Sequence, residues 1–189
     1  MHGGETGYSI DNADVVLISN ESREGDWVNV LDWLPKKEPS RSIFTVGIDH
    51  GKNVKGASYA YTVYTSITEK TLLKKEKKKA YAILENTENI QAVQFKELKE
   101  TAIVFHKAGT LVLDKNLQIT STFPGIVIVS KKRGCFSIAI LEPTSKIEKG
   151  EIMLTGNVKI GTYSKTDNTS TLPIDFSENK GMPIYLSSK

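Results

Sequence analysis

Few side chains in this sequence are of the kinds that carry proton transfer, metal binding or nucleophilic attack, and those few are scattered. There are three histidines. His2 adjoins the initiator methionine. His50 and His106 stand alone, without a His-x-x-x-His or Cys-x-x-Cys partner, so spacing gives metal ligation no support. His106 falls on a strand-like segment, where a histidine packs more often than it ligates. His50 sits between Asp49 and Gly51; a hydrogen bond fixing its own loop is the plainer reading, and a ligand contact the sharper one. His50, Lys52 and Lys55 put basic and hydrogen-bonding groups at one edge of the stretch TVGIDHGKNVKGASYAYTVY, residues 45–64. Cys135 is the one cysteine and excludes an internal disulfide. It lies in the apolar run CFSIAIL and reads as a small buried hydrophobe rather than a nucleophile. Carboxylates are numerous but scattered, so a pair for glycoside hydrolysis cannot be assigned. Gly-x-Ser-x-Gly, Gly-x-x-x-x-Gly-Lys and Gly-x-Gly-x-x-Gly do not occur. No catalytic residue, no metal and no cofactor is assigned.

The elements that must hold these groups are strands. Residues 43–48 read as a strand, 49–56 as a polar, Gly-containing crossing, and 57–64 as a second strand. In the second, Tyr59, Tyr61 and Val63 fall on one face, and Ala60, Thr62 and Tyr64 on the other, the period of two that a sheet requires. Gly51 and Gly56 supply positive φ for a reversal, so the expected unit is a β-hairpin with a polar tip. Upstream, ADVVLIS (13–19) reads as a buried strand, followed by the segment that holds both tryptophans, Trp27 and Trp33. At 65–79, TSITEKTLLKKEKKK changes character: it is rich in lysine, and Thr68 and Glu69 can start a helical turn. Glu69 and Glu76 break the lysine run and no aromatic residue interleaves it, which favours a solvated connector over a nucleic-acid patch. Beyond it, short alternating strands recur to the C-terminus, with Gly156-Asn157 expected to turn EIMLT back onto VKIGTY. That spacing defines an all-β chain of antiparallel β-sandwich portions with one short helical connector.

Composition sets broad limits. The 189 residues suffice for one or two domains, and 39% hydrophobic with 25% charged residues is ordinary for a globular protein. The net charge of +3 is mild and reads first as a solvated surface. No apolar run is long enough for a membrane span. The segment MHGGETGY has neither the charged nor the apolar region of a signal peptide.

Several segments carry a family resemblance. IDHGKNVKGASYAY (48–61) resembles the (I/F)-x-His-Gly-x-x-Pro-x-x-Ala-x-Tyr-x-Tyr segment of polysaccharide lyase family 8, with Val54 in place of proline. Arg23, Gly25, Trp27 and Val30 are similar to that family's Arg-x-Gly-x-Trp segment, although Leu31 stands where asparagine is usual. Asn86, Thr87, Gln91, Ala92 and Val93, then Lys107, Ala108 and Gly109, match the opening of its C-terminal domain; Glu142 replaces the aspartate of an Asp-Pro-Thr turn.

The resemblance implies the end of a central β super-sandwich over 1–66, a Lys-rich connector over 67–79 and a C-terminal β-sandwich over 80–189. It implies a parent enzyme, extracellular or periplasmic, that cleaves chondroitin- or hyaluronan-type polymers by β-elimination. Its acid–base groups would belong mostly to a preceding helical domain, helped by residues early in the central domain; that helical domain is the expected partner together with an acidic polysaccharide, and no nucleic acid and no membrane span are expected. This chain alone would be a silent scaffold. The alternative is an independent carbohydrate-binding sandwich, with Trp27, Trp33, Tyr59 and Tyr61 as a sugar platform and His50 and Lys52 as polar contacts beside it.

Overall fold

The structure is a computed structural model and describes residues 5–13, 15–25, 28, 30–31, 33, 40–132, 134–156, 158–179 and 181–188. It divides into two compact units, 1–78 and 79–189. Each is built from antiparallel strands, with one short helix in the first.

In the first unit β1 (Gly7–Asn12) pairs with β4 (Ala60–Tyr64), and β2 (Val15–Glu24) pairs along its whole length with β3 (Ser40–Asp49). The hairpin expected from 43–64 is therefore not formed; its two strands belong to different ribbons. The crossing between them runs from residue 50 to 59, longer than a tight hairpin loop. Gly51, Asn53 and Gly56 take φ of 76°, 56° and 65° there, and Asp49 Oδ1 accepts the Gly51 amide at 2.7 Å, so the chain turns out of one ribbon and enters the other. The strand expected at 13–19 also differs from its reading as buried. It belongs to a two-stranded ribbon in which it is exposed along nearly its whole length, and Leu17 and Ile18 are 56% and 69% exposed.

The helix α1 (Glu69–Lys77) starts where Thr68 and Glu69 suggested, with Thr68 Oγ1 accepting the Thr71 amide at 3.3 Å. Its one buried side chain, Leu72, lies over β1 at Gly7. A Cβ at Gly7 would stand 2.9 Å from Leu72 Cδ2, so a larger residue there would oblige the Leu72 side chain to shift. On the same side, Lys75 Nζ lies 5.9 Å from the centre of the Tyr64 ring. Burial, and then the nearby Glu76 carboxylate, push the Tyr64 hydroxyl above its ordinary pKa.

The second unit is a sandwich of two sheets. One has the order β15 (Ile184–Ser187), β11 (Cys135–Leu141), β10 (Gly125–Lys132), β7 (Glu100–Phe105), β6 (Ile90–Phe95), β5 (Tyr81–Asn86). The other runs β13 (Thr162–Ser164), β14 (Thr169–Asp175), β12 (Lys149–Thr155), β9 (Leu117–Ser121), β8 (Gly109–Asp114). Alternate residues of each strand point inward, as the pleat demands. Ile103, Phe105, Val127, Ile138 and Ile140 of the first sheet and Leu111, Ile119, Ile152, Leu154 and Leu172 of the second share one core.

Two expectations are corrected within this sandwich. Cys135 is exposed, because the inward parity of β11 starts at Phe136. EIMLT pairs with β9 and β14 rather than with the residues that follow it. Val158 and Ile160 are buried without joining a strand. The buried Ser170 hydroxyl donates to Val158 O and accepts the Ile160 amide, satisfying backbone that a hairpin would otherwise pair. After β11 the buried Glu142 carboxylate accepts the amides of Thr144 at 2.9 Å and Lys146 at 3.0 Å, together with the Thr144 hydroxyl. That hydroxyl first, and then the amides, hold its carboxyl below the usual carboxylate range against the opposing effect of burial.

Candidate functional site

The first unit contains a cleft of about 500 Å³ between its two ribbons. One wall carries Tyr8 and Ile10 of β1 with Tyr61 and Val63 of β4, placed side by side by the pairings Tyr8↔Val63 and Ile10↔Tyr61. The facing wall carries Phe44, Val46 and Ile48, alternate residues of β3. His50 and Tyr59, at the two ends of the crossing, close one end of the lining. The helix packs on the opposite face of β1, where Gly7 and Ser9 are buried. Strand parity thus separates a helix-covered side from an open aromatic side.

The aromatic rings form a short series. Tyr59 and Tyr61 are stacked, with centroids 6.2 Å apart and planes 16° from parallel. The His50 ring lies 6.0 Å from Tyr59, and Tyr8 lies 5.6 Å from Phe44 across the cleft. Tyr59 and Tyr61 keep more than half of their surface exposed, at 57% and 56%. The cleft therefore offers an aromatic face, three tyrosine side chains and an imidazole among apolar side chains. Such a surface binds a ligand that has both apolar patches and hydroxyl or carboxylate groups.

Of the expected contact residues, His50, Tyr59 and Tyr61 come together in this cleft. Lys52 is exposed on the crossing and does not line it, and Trp33 is 75% exposed and also stands apart. Trp27 lies outside the described residues. Sequence reasoning missed Tyr8, Ile10 and Phe44. The signal that could have found Phe44 is the alternation Phe44, Val46, Ile48, which leads in step to His50. His106 is exposed just past the end of β7, not packed, and its Nε2 lies 3.2 Å from Gln91 Oε1. Among the described residues no three His, Cys, Asp or Glu side chains are grouped to hold a metal ion, and no helix is long and apolar enough to cross a membrane.

Comparison with known proteins accounts for both units. Residues 1–76 match the description "Polysaccharide lyase family 8, super-sandwich domain", and 82–150 match "Polysaccharide lyase family 8, C-terminal beta-sandwich domain". Chondroitinase-AC of Pedobacter heparinus is 28% identical over 174 residues, 92% of this chain and 24% of that protein. Hyaluronate lyase of Thermasporomyces composti is 26% identical over 167 residues, 88% of this chain and 21% of that protein. A chondroitinase AC lyase solved in complexes with oligosaccharides superposes with a TM-score of 0.84 at 26% identity, over 98% of this chain and 27% of that one. The chain therefore spans about a quarter of the length of these relatives. With two domain models of one family matched along the sequence and the fold superposing over nearly its whole length, this chain belongs to polysaccharide lyase family 8, as its C-terminal region.

Proposed function

We propose that this chain is the non-catalytic supporting region of a lyase that breaks uronic-acid-containing glycosaminoglycans of the chondroitin or hyaluronan type, and that its aromatic cleft touches the sugar chain. β-Elimination takes the proton from C5 of the uronic acid, expels the oxygen at C4, and needs the carboxylate charge neutralised while the C5 carbanion character develops. No residue of this chain is assigned to those steps; they fall to the rest of the enzyme. The cleft's part is to hold. A pyranose ring laid on Tyr61 or Tyr59 buries its C–H face, while its hydroxyls remain within reach of phenol and imidazole. A polymer of this kind is met outside the cell, which fits an extracellular or periplasmic enzyme.

The observation that carries this reading is the stacked, half-open Tyr59–Tyr61 pair beside His50. Two measurements on the purified chain test it. Incubation with chondroitin or hyaluronan should leave the absorbance of unsaturated uronate flat; turnover overturns the supporting role. Titration with uronic-acid oligosaccharides should show saturable binding that Tyr61→Ala weakens roughly ten-fold, the value of one aromatic contact. An unchanged affinity in that variant overturns the sugar contact.

A further inference from the structure

We infer that α1 carries a second contact for the acidic polysaccharide, an electrostatic one formed by Lys70, Lys74 and Lys77 around Leu73. This rests on the proposed substrate class and adds a site for its anionic groups. Positions 70, 74 and 77 are spaced i, i+4 and i+7, which puts three ammonium groups on one stripe of the helix. Leu73 stands within the stripe, 56% exposed, and with Glu69 the four line a shallow trough of about 390 Å³. The stripe lies away from Leu72, which faces β1.

Ordinary helix chemistry does not account for this arrangement. Cations suit the last turn, where they meet the negative end of the helix dipole, and that explains Lys74 and Lys77. Lys70 is in the first turn, where the dipole opposes a cation. Lys70 and Lys74 are also a like-charge pair four residues apart, a spacing that destabilises a helix. Lys75 and Lys79, by contrast, lie over the rings of Tyr64 and Tyr81. The Lys70, Lys74 and Lys77 ammonium groups have no ion pair or ring contact among the described residues. Three unpaired cations held together against the helix's own preference fit a partner that brings regularly spaced negative charge. The stripe spans about 10 Å at 1.5 Å per residue, the scale of a disaccharide repeat, so carboxylate or sulfate groups of successive repeats can meet it. With no aromatic ring on the stripe to stack a base, the polysaccharide is favoured over nucleic acid. Leu73 gives the sugar ring an apolar rest between charges.

The test uses the full chain and chondroitin sulfate oligosaccharides, followed by NMR shifts and calorimetry at several salt concentrations. Lys70→Gln/Lys74→Gln/Lys77→Gln removes the charge while keeping helix propensity. It should weaken binding at least about five-fold and flatten the salt dependence, and Lys→Arg at the same positions should restore both. Added chondroitin sulfate should raise the melting temperature of the natural chain more than that of the Gln variant, whose aromatic cleft is intact. The inference is overturned if the Gln variant binds as the natural chain does, if the Arg variant fails like the Gln variant, or if a DNA duplex of equal charge binds more tightly. Shifts confined to Tyr59 and Tyr61 overturn this contact alone, shifts confined to α1 overturn the aromatic cleft alone, and shifts at neither overturn both.

Discussion

The Glu142 carboxylate is buried yet well supplied with donors, so its charge governs stability in a definite direction. The Thr144 hydroxyl and the backbone amides of Thr144, Lys146 and Ile147 favour the ionised form and depress its folded pKa. Asp175 is held low in the same sense, first by the Ser177 hydroxyl and then by the Ser177 amide, with Lys149 at 3.6 Å. A carboxylate depressed on folding stabilises the fold above its unfolded pKa, and that contribution is lost as pH falls through the folded value. Glu142→Gln should therefore lower the melting temperature at neutral pH. The gap between variant and natural chain should narrow as pH drops through about 4.3, where the unfolded glutamate is half protonated, and on toward the lower folded value. A gap constant from pH 7 to pH 2 would show that the charge is not what Glu142 supplies. Close packing at single residues is equally specific nearby. A Cβ at Gly150 would overlap the Phe123 ring, which meets Phe176 edge-on at 5.3 Å.

At the level of elements, α1 is short, and a nine-residue helix does not hold itself in water. Its cap at Thr68 and the seat of Leu72 over Gly7 do so. Thr68→Ala should cost about 1 kcal/mol and raise amide exchange first in the opening turn, around Leu72. Exchange unchanged at Leu72 would assign the helix's stability wholly to packing. This cap was readable in the sequence because capping is a local matter of a hydroxyl and the next three amides. The strands were readable for a like reason: period two is written into each segment, as in Tyr59, Tyr61 and Val63. Partner choice was not. Nothing local tells Ile48 that its neighbour is Val16 rather than a residue beyond the crossing, and Tyr8 reaches the cleft only because β1 pairs with β4. The same limit hid the exposure of Cys135, which depends on where the inward parity of β11 begins. It also hid the path of Val158 and Ile160, which a distant serine hydroxyl secures.

Across the whole molecule, the two units differ in what they enclose. Residues 79–189 surround one core drawn from both sheets, with Ile119, Val127, Ile140, Ile152 and Leu154 almost wholly removed from solvent. The first unit places its apolar side chains in ribbons only two strands wide. That contrast bears on how the protein behaves in a tube. Among the described residues β2 pairs with β3 alone, which leaves its other edge open beside Val15, Val16, Leu17 and Ile18, a run with no charge and no proline. Concentrated samples should cloud, through edge-to-edge stacking of this run between molecules. Leu17→Lys and Ile18→Lys should raise the concentration at which light scattering climbs while leaving the melting temperature nearly unchanged. If scattering is indifferent to both lysines, clouding starts elsewhere and this edge is harmless.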